Sequence, residues 1–223
     1  MASMSEQPPH TPAEEPAWKR RAVERSTQAA KRRAEERGER FLDAARAVVT
    51  EKGTTDFTVQ EVVDRSRQSL RSFYQHFDGK HELLLALFED AMATTAGRLR
   101  AAAARESGPL ERLRCVVREL FESGRPGAVG ARRPLFADFA PALLVSRPRE
   151  MAVAVAPVVA VVAELTAELE RTGALGGSVD ALRAARLTVR TVLFAARPES
   201  ADEGEPLTAD EVWDFCAHGL LRG

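Results

Sequence analysis

The chain is poor in the residues that build disulfide scaffolds, metal centres and membrane spans. It has two cysteines, one tyrosine and four histidines in 223 residues. Cys115 and Cys216 fall in apolar helical stretches and read as small buried hydrophobes, not as a disulfide framework or metal site. A reduced, cytoplasmic setting is expected. His10, His76, His81 and His218 have no carboxylate or cysteine partners at metal spacing. His76 and His81 are five apart, whereas a helical zinc pair needs i, i+4. No metal ligand, catalytic residue or cofactor is therefore assigned. The most apolar run, Ala152 to Ala163, is too short to cross a bilayer, and Pro157 and Glu164 interrupt or bound it. The N-terminus has no signal-peptide pattern, and no strand-like alternation stands out anywhere.

What is present is helical periodicity and an uneven charge. The net charge of −1 conceals 15 Lys or Arg against 10 Asp or Glu between Trp18 and His81, with an acidic balance elsewhere. A basic N-terminal third suits a protein that touches nucleic acid with one end.

The segment from Phe57 to Phe88 carries the most information. Thr58, with Glu61 three residues on, forms a capping box, and Phe57 before it can staple against Val62. Val59, Val62 and Val63 then share one helical face. A tight turn follows around Arg67. Ser69 can cap a second short helix, expected to run to His76, that buries Phe73 and Phe77. That burial leaves Arg71, Ser72, Gln75 and His76 available to a partner, each able to donate a hydrogen bond to a base edge or phosphate if His76 presents the right nitrogen. A helix of this size fits the major groove of B-form DNA. Lys80 and the backbone amides of the helix it opens form an anion site.

These residues resemble the TetR family of repressors. The resemblance is carried by T-V-Q-E-V-V-D-R-S, by S-x-x-S-F-Y-x-H-F and by D-G-K-H-E-L-L. Upstream, R-G-E-R-F-L-D-A-A-R-A-V-V-T-E-K-G is similar to the family's first helix, with its stop at Gly53. The resemblance implies phosphate contacts from Thr58, Ser69, Tyr74, His76 and Lys80, and base-edge contacts from Leu70, Arg71, Ser72 and Gln75. Two positions depart from the family pattern. Arg67 stands where a small residue, often glycine, is usual, and either points at DNA or is solvated. Gln68 stands where an aliphatic residue is usual. Both are kept in the candidate DNA surface.

The fold expected is all-α, with about nine helices: an N-terminal three-helix helix-turn-helix domain and a larger C-terminal helical domain for ligand binding and dimerisation. The divisions are 1–35, a disordered and basic extension; 36–81, the DNA-binding domain; and 82–223, the effector and dimerisation domain. Met1 to Pro16 has a disordered composition. Trp18 to Arg33 is either a basic arm that reaches a minor groove or the phosphates, or a mixed-charge helical extension with no DNA contact. One helix is expected from Arg149 to Thr172, bent at Pro157.

The resemblance further implies a homodimer through the last two helices, Ala181–Ala196 and Thr208–Leu221, whose Ala184, Ala185, Val189, Val192, Leu193 and Trp213 suit close packing. Asp210, Glu211 and Asp214 are candidates to pair with a stripe of Arg183, Arg186 and Arg190. It also implies a small effector between the middle helices, with Phe88, Met92, Phe121, Phe136, Phe139, Leu143, Met151, Val155 and Val158 as candidate lining. Their apolar character suits a hydrophobic or amphipathic ligand. The function expected is a ligand-responsive repressor acting on a palindromic operator in double-stranded DNA. A helical small-molecule enzyme and a partner-binding module without DNA are the alternatives.

Overall fold

The computed structural model describes residues 16–125, 135, 139–176, 179–196 and 205–221. Within them lie ten helices and no strand, only an isolated bridge between Leu175 and Leu221. The expectations for residues 1–15, for Phe136, and for the loops at 126–130 and 197–204 lie outside the described residues. The chain forms two compact units, residues 1–40 and 41–223.

Helix α1 spans Ala17–Lys52. Residues 17–35 are thus helical. Its C-terminal part buries Phe41, Ala44, Ala45, Val48 and Val49, and Gly53, at φ 65°, ends it. Helix α2, Val59–Ser66, starts on the expected capping box: Thr58 accepts from the Glu61 N–H, and the Glu61 carboxylate accepts from the Thr58 N–H. Helix α3, Leu70–Tyr74, is shorter than the sequence pattern suggested, since Ser69 is its cap and His76 lies in the following turn.

Helix α4, Lys80–Ala103, is buried along Leu83, Leu84, Leu87, Phe88, Met92, Ala96 and Leu99. Helix α5, Pro109–Gly124, opens on a proline, whose missing N–H costs nothing there. Helices α6, Ala140–Ser146, and α7, Pro148–Ala154, are short. Helix α8, Ala156–Arg171, follows α7 after a break at Val155, with a 64° bend between the axes. The single bent helix expected across Pro157 is therefore two helices. Pro157 is tolerated in the first turn of a new helix but would clash with a carbonyl four residues back in a continuous one. Helices α9, Ala181–Ala195, and α10, Ala209–Leu220, complete the chain. Asp180 caps the first, and a Thr208–Glu211 capping box opens the second. No single helix among the described residues is long and apolar enough to cross a membrane.

The core of the C-terminal body lies between α4, α5, α8 and α9. Thr166 of α8 donates to the Ala181 carbonyl at the start of α9, 2.9 Å away. Gly124, expected in a loop, is the last residue of α5 and packs on Ala196. A Cβ there would lie 2.8 Å from the Ala196 Cβ and 3.3 Å from its carbonyl oxygen. Gly124→Ala is therefore expected to destabilise the chain. Overpacking of about 1–3 kcal/mol outweighs the gain in helix propensity of up to about 1 kcal/mol. The check is the midpoint of chemical denaturation, which should fall.

Candidate nucleic-acid interface

Helix α3 has five residues, too few to persist alone in water. Tertiary burial holds it. Phe73 is fully buried and meets Phe41 of α1 edge-to-face, with centroids 5.4 Å apart. Phe77, just beyond the helix, lies 6.3 Å from Phe41 and 5.6 Å from Phe73. Such pairs contribute about 0.5–1.5 kcal/mol each beyond the area they bury. Phe73 and Phe77 were legible as buried residues. Phe41, on which they close, was not, because it lies over 30 residues away in the chain.

The turn into α3 is made by Arg67, at φ 54° and ψ 36°, the sole non-glycine residue with positive φ among those described. The Arg67 N–H donates to the Asp64 carbonyl and the Gln68 N–H to that of Val63, which closes the end of α2. An arginine thus performs the left-handed turn that the family pattern usually gives to a small residue.

Charges behind this surface are paired internally. Lys52 of α1 meets Glu61 of α2 at 2.8 Å. Arg65 donates to both Glu51 oxygens, at 2.7 and 2.5 Å. The Lys52 hydrogen bond, then those from Thr58, hold the Glu61 carboxyl down at about 2. The Arg65 guanidinium likewise keeps Glu51 below the usual carboxylate range. Arg67 and Arg71 are exposed and make no ion pair among the described residues. Arg67 and Arg71 thus leave positive charge exposed at the turn and on α3.

The other expected contact residues divide into three groups. Leu70 and Tyr74 are exposed, at 43% and 56%, although both are large. Ser69 and Gln75 are exposed too, with Ser69 Oγ accepting from the Ser72 N–H. Thr58 and Lys80 are engaged locally. The Thr58 hydroxyl both donates to and accepts from Glu61. Lys80 lies 3.6 Å from Asp56, with its ammonium 4.9 Å from the Phe57 ring centre. Gln68, Ser72 and His76 are half-buried.

Ser72 departs from expectation: its Oγ is buried without a hydrogen-bond partner among the described residues, so it turns inward and not toward a base edge. His76 is constrained as well. Its Nδ1 lies 2.8 Å from the Ser72 carbonyl oxygen, which only accepts, so Nδ1 carries the proton.

Behind the interface, His81 in the first turn of α4 bonds the Glu150 carboxylate of α7 at 2.7 Å, and Arg147 holds the other Glu150 oxygen at 2.8 Å. These bonds, that from His81 foremost, lower the Glu150 carboxyl's pKa. The His81 ring packs at 5.7 Å from Phe139, which lies 6.1 Å from Phe88. Sequence spacing carried no sign of this junction.

Phe88, Met92, Phe121, Phe139, Leu143, Met151, Val155 and Val158, expected around a ligand, are all buried. Met151 and Val155 line a groove of about 380 Å³ with Val159, Leu182, Arg186 and Arg190 among its other walls. On α4 the Thr95 hydroxyl is fully buried without a partner among the described residues. Asp210 pairs with Arg114 and Arg118 of α5, at 3.1 and 3.5 Å, and not with the arginine stripe of α9. Helix α10 packs chiefly on α5, which brings those side chains together. Ala184, Ala185, Val189, Val192 and Trp213, expected at a dimer interface, are buried inside the protomer, because they form the face of α9 and α10 turned to its own core. Both cysteines are free. Cys216 is buried and Cys115 half-buried, and burial raises both thiol pKa values.

The left-handed turn supplies a direct test. Arg67→Gly should raise thermal stability, by the roughly 1 kcal/mol that a Cβ costs in this conformation, less the extra unfolded-state entropy of glycine. An unchanged or lowered melting temperature would mean that the arginine side chain stabilises the turn by more than its conformation costs.

Comparison with known proteins agrees with this geometry. Residues 41–87 match the sequence profile of the family described as bacterial regulatory proteins, tetR family. No curated protein sequence matches the chain. Solved structures are similar in fold. A TetR-family transcriptional regulator from Pectobacterium atrosepticum has 22% identity and a TM-score of 0.63, over 86% of this chain and 97% of that one. RolR, in complex with resorcinol, has 15% identity and a TM-score of 0.68, over 85% and 90%. AibR, in complex with isovaleryl coenzyme A and operator DNA, has 20% identity and a TM-score of 0.53, over 83% and 98%. Residues 41–87, on α1 to α4, thus match the model of the tetR family of bacterial regulatory proteins, and the helices together share the fold of the solved structures named here.

Proposed function

We propose that this chain is a dimeric, sequence-specific DNA-binding repressor, released from its operator by a small apolar or amphipathic ligand. The observation that carries the reading is the pair of uncompensated guanidiniums, Arg67 and Arg71, beside exposed Leu70 and Tyr74, on a helix-turn-helix whose neighbouring charges are paired internally. Residues 36–81 are the DNA-binding domain and residues 82–223 the effector and dimerisation domain. Arg71, Leu70 and Gln75 read base edges. Ser69, Tyr74, His76, Lys80, Thr58 and Arg67 position the phosphates, with Gln68 at the edge of the surface. Two copies bind half-sites about one helical turn apart. The setting is cytoplasmic, and the protein has no enzymatic role.

Support for the dimer comes from the outer face of the last two helices. Leu182, Leu187 and Phe194 on α9 and Phe215 on α10 are 44%, 55%, 59% and 72% exposed, more apolar surface than an isolated protomer has reason to leave in water. For the ligand, RolR and AibR, whose fold is similar, are solved with resorcinol and with isovaleryl coenzyme A. The Thr95 hydroxyl on the buried face of α4, without a partner among the described residues, provides a polar group for a ligand in an otherwise apolar interior. Release requires that the ligand bind the DNA-free arrangement more tightly than the DNA-bound one. The His81–Glu150 junction between α4 and α7 lies where such a preference would be transmitted.

Selection of random duplexes by the purified protein, followed by sequencing, should enrich a palindrome. Absence of any enriched sequence from folded, ligand-stripped protein would refute the reading. On the selected duplex, Tyr74→Ala and Lys80→Ala should weaken binding to all sequences alike. Arg71→Ala should instead flatten preference at one base position by about 1–3 kcal/mol; an equal loss at every sequence would remove its reading role. Phe194→Glu with Phe215→Glu should convert the dimer to a folded monomer in sedimentation, and an unchanged sedimentation coefficient would place the interface elsewhere.

A further inference from the structure

The N-terminal part of α1 is a basic helix without an apolar face. Between residues 18 and 33 the described side chains Lys19, Arg21, Arg25, Lys31, Arg32 and Arg33 are all exposed, and Glu24 is the single acidic residue. Charge compensation is slight. Lys31–Glu35 and Arg32–Glu36 are long i, i+4 pairs of 3.8 and 3.9 Å between well-exposed groups, worth little in water. Lys19, Arg21, Arg25 and Arg33 have no carboxylate partner among the described residues. At 100° per residue, Arg21, Arg25 and Arg32 fall within about 40° of one another and form a stripe along the helix. The two large apolar residues, Trp18 and Val23, are 62% and 60% exposed and lie on different faces, so the segment offers no packing stripe to a protein core or an acyl layer.

We infer that residues 18–33 bind the phosphate backbone of duplex DNA as a helix, without reading sequence. The partner is polyanionic, because the segment exposes six described cations against one carboxylate, Glu24. The helical form decides how it binds. A helix with its side chains is about 10–12 Å across, whereas the minor groove is about 6 Å wide. Insertion of this segment into the minor groove, open to an extended arm, is closed to it. The arginine stripe is left to track phosphates from outside. The inference rests on the DNA-binding reading of the chain and adds to it a contact that sets affinity and salt dependence but not specificity.

The test uses the full chain and a triple variant, Arg21→Gln with Arg25→Gln and Arg32→Gln, titrated by fluorescence anisotropy against the selected palindrome and a scrambled duplex over a range of salt. The expected result is a shallower log–log salt slope, by about 0.9 per lost phosphate contact and so by up to about 2.7 per protomer. The reduction should be equal on both duplexes, with the preference between them unchanged. The triple Arg→Lys variant should recover the slope, since charge and not guanidinium geometry is what counts; failure to recover it would assign the effect to helix structure and overturn the inference. A slope equal to wild type on both duplexes would overturn it too, as would a changed preference, which would mean that the segment reads bases. Failure of the helix-turn-helix reading looks different: the wild-type chain would not discriminate palindrome from scramble at all, and the slope comparison would still decide the role of α1.

Discussion

The aromatic interlock of Phe41, Phe73 and Phe77 is the contact on which the candidate DNA surface depends. A five-residue helix has no stability of its own, and α3 is held as a helix by closing Phe73 against Phe41. Once that ring is buried, helical geometry turns Leu70, Arg71 and Tyr74 outward together. The same burial explains why the surface carries large apolar side chains next to charge: the inward positions are already filled by phenylalanine.

Electrostatics sharpen what packing sets up. Glu61 serves twice, as the reciprocal partner in the α2 capping box and as the counter-ion of Lys52. Glu51 neutralises Arg65 through a two-point contact. These pairs are exposed and stabilise little, but they pair off the charges of Lys52, Glu61, Arg65 and Glu51 and leave the guanidiniums of Arg67 and Arg71 exposed without an ion pair among the described residues. Deeper in the chain, His81 and Glu150 tie the start of α4 to α7, and Arg46 of α1 reaches Asp90 of α4 at 3.0 Å. The helix that begins at the candidate interface is therefore tied to α1 and to α7 by hydrogen-bonded charges.

Local signals in the chain were reliable wherever the physics was local. Both capping boxes, the proline start of α5 and the stop at Gly53 are where spacing put them, because each is decided within four or five residues. Pro157 was recognised as a disruption, but the outcome, two helices at 64° and not one bent helix, depended on how the flanking segments pack. The arginine at position 67 was seen to be unusual, and its backbone conformation was not readable, since left-handed geometry is imposed by the helices it joins. Ser72 shows the limit most clearly. Its spacing placed it beside Arg71 on an outward face, yet a helix this short and this tightly docked turns the hydroxyl inward.

For this protein the sequence by itself determined the all-helical class, the order of the first helices, their caps and the uneven charge, because hydrogen-bond capping and hydrophobic periodicity act over a few residues. Only the tertiary structure decided which faces were spent inside the protomer. Ala184, Val189, Val192 and Trp213 have the character of an interface and lie in the core, while Leu182, Leu187, Phe194 and Phe215 remain outside. Apolar residues on both faces of a helix look alike in sequence; which face is covered is settled by the neighbouring helices that reach it, and those contacts are long-range. The basic N-terminal segment illustrates the same division. Its charge was legible from composition, but that it is carried on a helix, too broad for a minor groove, is a property of the folded chain.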